Sequence, residues 1–236
     1  MAGQPVAAPG ELREYLLTQF NQALRRLGLY GGEAALRLLS DALAFADARQ
    51  PEWNETIAEL QTQGAANSAG VRGAFQRLWG DHGASPHDAV ASVYAEVALP
   101  HGWVTLDRTL DQREYDDLDR ASGPWAEQDR TLTEVLAAYG PPSIRFGSTN
   151  PSYPKTLGYT TAPTAPASPT ADGGPHSLIC FHLWNRPQPA GAPRRAVHDE
   201  PILLAVRHPG PGQPGRPFAD RFAFTPAGAR HRHREY

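Results

Sequence analysis

The 236-residue chain is short of several residue types, and each shortage removes a class of explanation. Its single cysteine, Cys180, excludes an internal disulfide and a multi-cysteine zinc site. Only Lys155 among the 22 basic residues is a lysine, so the abundance of arginine reads as a compositional habit and not as a preference for forked hydrogen bonding. No apolar run approaches the roughly 18 residues that a membrane helix needs, and the opening MAGQPVAAPG has neither the basic nor the apolar region of an export signal. The expected setting is therefore cytoplasmic, with no membrane partner. Hydrophobic residues at 40% and charged ones at 20% exclude a disordered chain and predict a substantial core.

What is present divides in two. Residues 1–140 hold 11 basic and 20 acidic side chains, net −9, while residues 141–236 hold 11 basic and 5 acidic, net +6. Opposite charge favours one half docking on the other, or two different partners. Six prolines fall in the first part and 17 in the second, which moves the pattern from helices to strands and loops.

Residues 1–10 are expected to be a disordered tail and 11–140 a helical region. Leu12, Leu16, Phe20, Ala23, Leu24 and Leu27 step by three and four along a first helix that Gly28 ends. Leu36, Leu39, Leu43 and Ala46 repeat the spacing, and Pro51 suits the first turn of a third helix burying Trp53, Ile57 and Leu60. Ser68 can cap a fourth, and Ser85 with Pro86 and Asp88 can start a fifth. Asp111 with Glu114, and Thr131 with Glu134, have the spacing of capping boxes for two more, the last closed by Gly140.

Strands are expected at residues 143–147, 155–160, 177–184, 202–208 and 218–225, joined as an antiparallel meander. SLICFHLW, residues 177–184, is apolar on both alternating faces, which marks a central strand covered on both sides. The proline-rich connections between strands are read as loops, and the basic ARHRHREY at 229–236 as an unstructured tail. The fold class is therefore α+β. About seven N-terminal helices pack on one face of a five-strand antiparallel meander at 141–228, with 11–228 one integrated domain.

Few stretches look like chemistry. GSTN, Gly147 to Asn150, is followed by Pro151 and Pro154 and then a strand, so it lacks the helix of a phosphate loop and the turn of a nucleophile elbow. It reads as a hairpin connection in which Ser148 and Asn150 bond their own backbone. The acidic run LDQREYDDLDR offers Glu114, Asp116, Asp117 and Asp119 as a solvated helix face and a contact surface for a basic protein partner. Nine histidines show no metal-ligand spacing, so neither metal nor cofactor is expected. His182 sits beside Cys180 and Trp184 on an apolar strand face, so its ring needs a partner, and Cys180 reads as buried and inert. The basic tail is too small a surface for specific nucleic-acid binding, which is not expected.

Two functional classes remain. The first is a non-catalytic intracellular interaction protein, an immunity- or antitoxin-type inhibitor or an adaptor of bacterial type, because no catalytic constellation is assembled in the sequence. The second is an enzyme of undetermined type, with His182, Arg207, Tyr159 and Asp220 as the groups projecting where helices meet the sheet. Arg207 and Asp220 enter because they are charges inside otherwise apolar runs. The spacing is silent on oligomeric state.

Overall fold

The computed structural model describes residues 9–68, 70–79, 87–162, 178–185, 199–209 and 217–233. The described part is α+β: eight helices, seven of them N-terminal, and a five-strand antiparallel sheet in the order β1-β2-β3-β4-β5. The helices are α1 (Pro9–Arg25), α2 (Gly32–Ala46), α3 (Gln50–Thr62), α4 (Val71–Trp79), α5 (His87–Ala98), α6 (Gln112–Trp125), α7 (Leu132–Tyr139) and α8 (Pro226–His233). The strands are β1 (Ile144–Gly147), β2 (Lys155–Tyr159), β3 (Ile179–Trp184), β4 (Ile202–Arg207) and β5 (Phe222–Phe224). The meander and the central place of β3 are as the sequence leads one to expect. Ser85 and Pro86 lie outside the described residues, as do the proline-rich connections at 163–177, 186–198 and 210–216.

Helices cover both faces of the sheet, not one. Ile144, Phe146, Leu178 and Cys180 join a core built with α1 to α5. Leu157, Tyr159, Ile179, Phe181, Leu183, Leu203 and Val206 join a second core under α6 and α7. Strand alternation requires the division, because the inner strands β2, β3 and β4 bury residues on both of their faces.

Helix α5 is the centre of the first layer. Every side chain from Ala89 to Ala95 is buried, since α1, α2 and α4 pack on one side of it and β1 and β2 on the other. Ala89, Ala91, Ser92 and Ala95 are small enough to let backbone approach backbone.

Both capping boxes form. Asp111 and Glu114 exchange bonds of 2.8 and 2.9 Å at the start of α6, and Thr131 and Glu134 do the same at the start of α7. Helix α4 is capped differently from the Ser68 expectation. Glu33, in the first turn of α2, reaches across to accept from Val71 N at 2.7 Å and Arg72 N at 3.0 Å, and takes the Tyr94 hydroxyl at 3.0 Å. Three elements are thereby tied through one carboxylate.

Three boundary expectations are corrected. Helix α1 begins at Pro9, so the tail expected at 1–10 does not reach residue 10, and it ends at Arg25, ahead of a 3-10 turn at Leu27–Leu29 that contains Gly28. The strand expected at 218–225 begins as a 3-10 turn, Phe218–Arg221, and only three residues pair with β4. Of the segment 229–236 expected as an unstructured basic tail, residues 229–233 belong to α8, and the rest lies outside the described residues. Thr225 Oγ1 accepts from Gly228 N at 3.1 Å, and Asp129 accepts from Ala227 N and Arg230, both at 2.6 Å. Gly228 lies so close to β4 that a Cβ there would overlap the Leu204 carbonyl, which no sequence period reveals.

Replacing Glu33 with Ala should cost about 1–3 kcal/mol, because two helix-start amides and a buried phenol lose their acceptor together. Urea unfolding gives the loss, and amide exchange should quicken first in α4. A loss below about 0.5 kcal/mol would refute the role given to Glu33.

Candidate functional site at the helix–sheet junction

Helix α5 brings two sets of polar side chains to the sheet. At its N-terminal end Asp88 accepts a hydrogen bond from Thr156 Oγ1 at 2.9 Å, and the same oxygen lies 3.0 Å from His182 Nδ1. Thr156 and His182 are cross-strand partners in the β2–β3 ladder, so they share a face. With the hydroxyl donating to Asp88, Nδ1 carries the ring proton and Nε2 is left as an acceptor. Nε2 is buried with no hydrogen-bond partner among the described residues, and so is Trp79 Nε1. The two rings are 5.1 Å apart, with Phe75 and Phe222 packed against the imidazole.

The surroundings set the protonation. Burial, with the Arg207 charge adding to it, holds His182 well below the usual imidazole range, so the ring is neutral near pH 7. Asp88 is half-buried. Desolvation pushes its carboxyl up to about 6, against the opposing bonds from Thr156 and from backbone N–H groups.

The second set is one turn from the other end of α5. Arg207, fully buried on β4, donates to Glu96, to Ser92 Oγ at 3.0 Å and to Cys180 Sγ at 3.2 Å. Arg221 also donates to Glu96, and its Nε donates to the His208 carbonyl at 3.1 Å. Burial works against the Glu96 carboxylate, but the charges of Arg207 and then Arg221 outweigh it and lower its pKa. Cys180 is buried and its thiol is pushed up by burial, which makes it a poor nucleophile.

Of the four groups expected to converge, two do. His182 and Arg207 lie on the α5 face of the sheet, whereas Tyr159 lies in the opposite core and donates to the Gly140 carbonyl at 2.9 Å. Asp220 is exposed in the 3-10 turn before β5. Asp88, Glu96 and Thr156 complete the site in place of Tyr159 and Asp220. Their sequence signals are a helix-start pattern for Asp88 and none for the others, because their contacts are between residues 26 to 125 apart in the sequence.

The acidic residues of α6 are exposed, and each has a partner within the fold. Glu114 is consumed by the capping box, and Asp116 accepts from Gln112 at 2.8 Å. Asp117 pairs with Arg120 at 2.9 Å, and Asp119 meets His208 Nδ1 at 2.9 Å. The β1–β2 connection is the turn expected of GSTN. Asn150 N donates to Ser148 Oγ at 3.1 Å, Ser152 N donates to Asn150 Oδ1 at 3.0 Å, and Gly147 takes a φ of 98° that a side chain would resist. No group of three metal-ligating side chains occurs among the described residues.

No protein-family model, no curated protein and no solved structure matches the chain. The Glu96 cluster is internally satisfied except at Arg207 Nε, whereas the Asp88–Thr156–His182 chain ends on an open acceptor.

Asp88 gives a pH signature. Its folded pKa lies above the ordinary 3.8, so the folded state keeps a proton that the unfolded state releases. Stability should fall as pH rises from about 4 to 6, by up to about 3 kcal/mol from this group. Asp88→Asn should remove that slope and be the more stable form, relative to wild type, above pH 6. Urea unfolding at intervals from pH 4 to 7.5 measures both, and an unchanged slope in Asp88→Asn would assign the titration elsewhere.

Proposed function

We propose that the protein is a non-catalytic interaction protein, of the inhibitor or adaptor kind, that docks on a partner protein through the outer face of α2. One observation carries the reading: α2 is apolar on two sides. Leu36, Ser40, Leu43 and Ala44 face the core, while Ala34, Leu38 and Phe45 form an outward stripe in which Leu38 is 70% and Phe45 75% exposed. A helix apolar on two faces ordinarily buries both, and the described residues cover only one of them. Leu12, Tyr15, Leu29 and Tyr30, also exposed, fall in the same stretch of α1 and the turn that follows it.

Charge defines the partner's rim. Helix α3, packed against α2, presents Glu52, Glu55 and Glu59 to solvent and contains no basic residue. These acids are better placed to meet a partner than those of α6, which already pair within the fold. The partner expected is a protein with an apolar centre framed by Arg or Lys, attracted over distance and held by burial.

Leu38→Asp with Phe45→Asp should leave the thermal midpoint within a few degrees of wild type and abolish stoichiometric capture of the partner from native lysate at low salt. Capture that is identical for wild type and the double variant would overturn the reading. Sedimentation of the purified chain distinguishes a second copy of itself as the occupant.

A second reading, an enzyme with its site at the helix–sheet junction, is favoured by the unpartnered Nε2 of His182. It predicts an activity, found by screening hydrolase and transferase substrates, that falls at least about 100-fold in His182→Gln and survives Leu38→Asp. An activity that His182→Gln leaves intact would remove this reading.

A further inference from the structure

The sheet face under α7 carries a second group of ionisable side chains, and among the described residues it contains no acid. Lys155 and Tyr159 on β2 project to this face together with Leu157, and Arg145 on β1 stands opposite Leu157, between them. Arg108, in the segment before α6, closes the far end. Its Nη2 donates to the Tyr139 carbonyl at 3.3 Å, next to the Gly140 carbonyl that receives the Tyr159 hydroxyl. The charges of Arg108 and Arg145 both act on Tyr159, and that of Arg145 acts on Lys155.

These cations are undercompensated. The Nε atoms of Arg108 and Arg145 are buried and lack an acceptor, and no carboxylate among the described residues lies within ion-pair distance of Arg108, Arg145 or Lys155. Lys155 is 2% exposed and its ammonium has one protein acceptor, the Asn150 carbonyl at 2.6 Å. Burial, then Arg145, pulls its pKa down to about 8, and Asp88 opposes this only through space. A carboxylate would relieve all three, but the described residues supply none here.

We propose that Arg108 and Arg145, flanking Tyr159, hold the oxyanion of a small-molecule ligand, a phosphate or a carboxylate group, with Lys155 extending the positive strip toward the β1–β2 turn. The unpaired Nε is the decisive feature. A guanidinium meets two oxygens of an anion through Nε and one Nη, so a buried Nε without an acceptor is half of a fork awaiting its other partner. The site differs from a phosphate loop in kind. Its donors are side chains on strands and a loop, and the GSTN amides are turned into their own hairpin. It also lies across the sheet from His182, so it stands independently of either functional reading above.

The experiment titrates the full chain with inorganic phosphate, and separately with malonate, at ionic strength held constant with sodium chloride. Calorimetry and thermal unfolding are read together. Saturable binding of one probe is expected, weakened at least about tenfold in Arg145→Gln and in Arg108→Gln, and less in Arg145→Lys, which keeps charge but loses the fork. Which probe binds identifies the group. A structural role would behave differently: in chloride alone, Arg145→Gln should leave the thermal midpoint unchanged or raise it, because a cation beside cations has been removed. The proposal is overturned if neither probe saturates, or if the variants bind as wild type does. It is overturned equally if Arg145→Gln loses several degrees in chloride.

Discussion

Glu96 is the carboxylate on which the architecture turns. It takes two buried guanidiniums, one from β4 and one from the turn before β5, across 111 and 125 residues of sequence. Withdrawing three charges from water is unfavourable unless each finds its counterpart, and deleting one member of such a group typically costs about 3–5 kcal/mol. The register of β4 against α5 is therefore specified by charge as well as by packing. Small residues along α5 allow the approach, and the buried Ser92 and Cys180 supply two further acceptors for Arg207. Without the pair, a helix this apolar could slide or rotate against the sheet with little change in buried area.

The opposite charge of the two halves finds its use in the same way. Acids of the helical half meet bases of the sheet half at Glu96 with Arg207 and Arg221, at Asp119 with His208, and at Asp129 with Arg230. Glu200 returns the favour in reverse, accepting from the Thr133 amide and hydroxyl at the start of α7. What is left over after this pairing is informative. Among the described residues, the exposed acids of α3 and the cations around Arg145 are charges without an ion pair, and they lie on separate elements with separate chemistry.

Local signals in the sequence were good guides wherever the physics is local. Both capping boxes form because each is a contact between residues three apart, and the GSTN turn forms because two prolines and a positive-φ glycine leave little else. The strands are legible because β-branched and aromatic residues alternate between turn residues. Glu33 was not legible, since its partners are 38 and 39 residues away. Nor was α8, whose basic, alanine-containing pattern has almost no apolar stripe and is held instead by Asp129 and by the closeness that Gly228 permits.

The same distinction governs the site. Strand alternation correctly puts His182 and Arg207 on one face, but it cannot say that Tyr159 looks the other way until the β2–β3 register is known. The outer stripe of α2 was hidden for another reason. Leu38 and Phe45 sit out of phase with Leu36 and Leu43, so a search for a single apolar face absorbs them as noise.

One detail of composition acquires a meaning in three dimensions. The only lysine of the chain is sealed beneath the β1–β2 turn, its ammonium clasped by a backbone oxygen. Amine-directed reagents would find no other side chain to acylate, so the extent of their reaction at this position would register how often the hairpin breathes. The molecule thus carries its own gauge of local opening at one edge of the sheet.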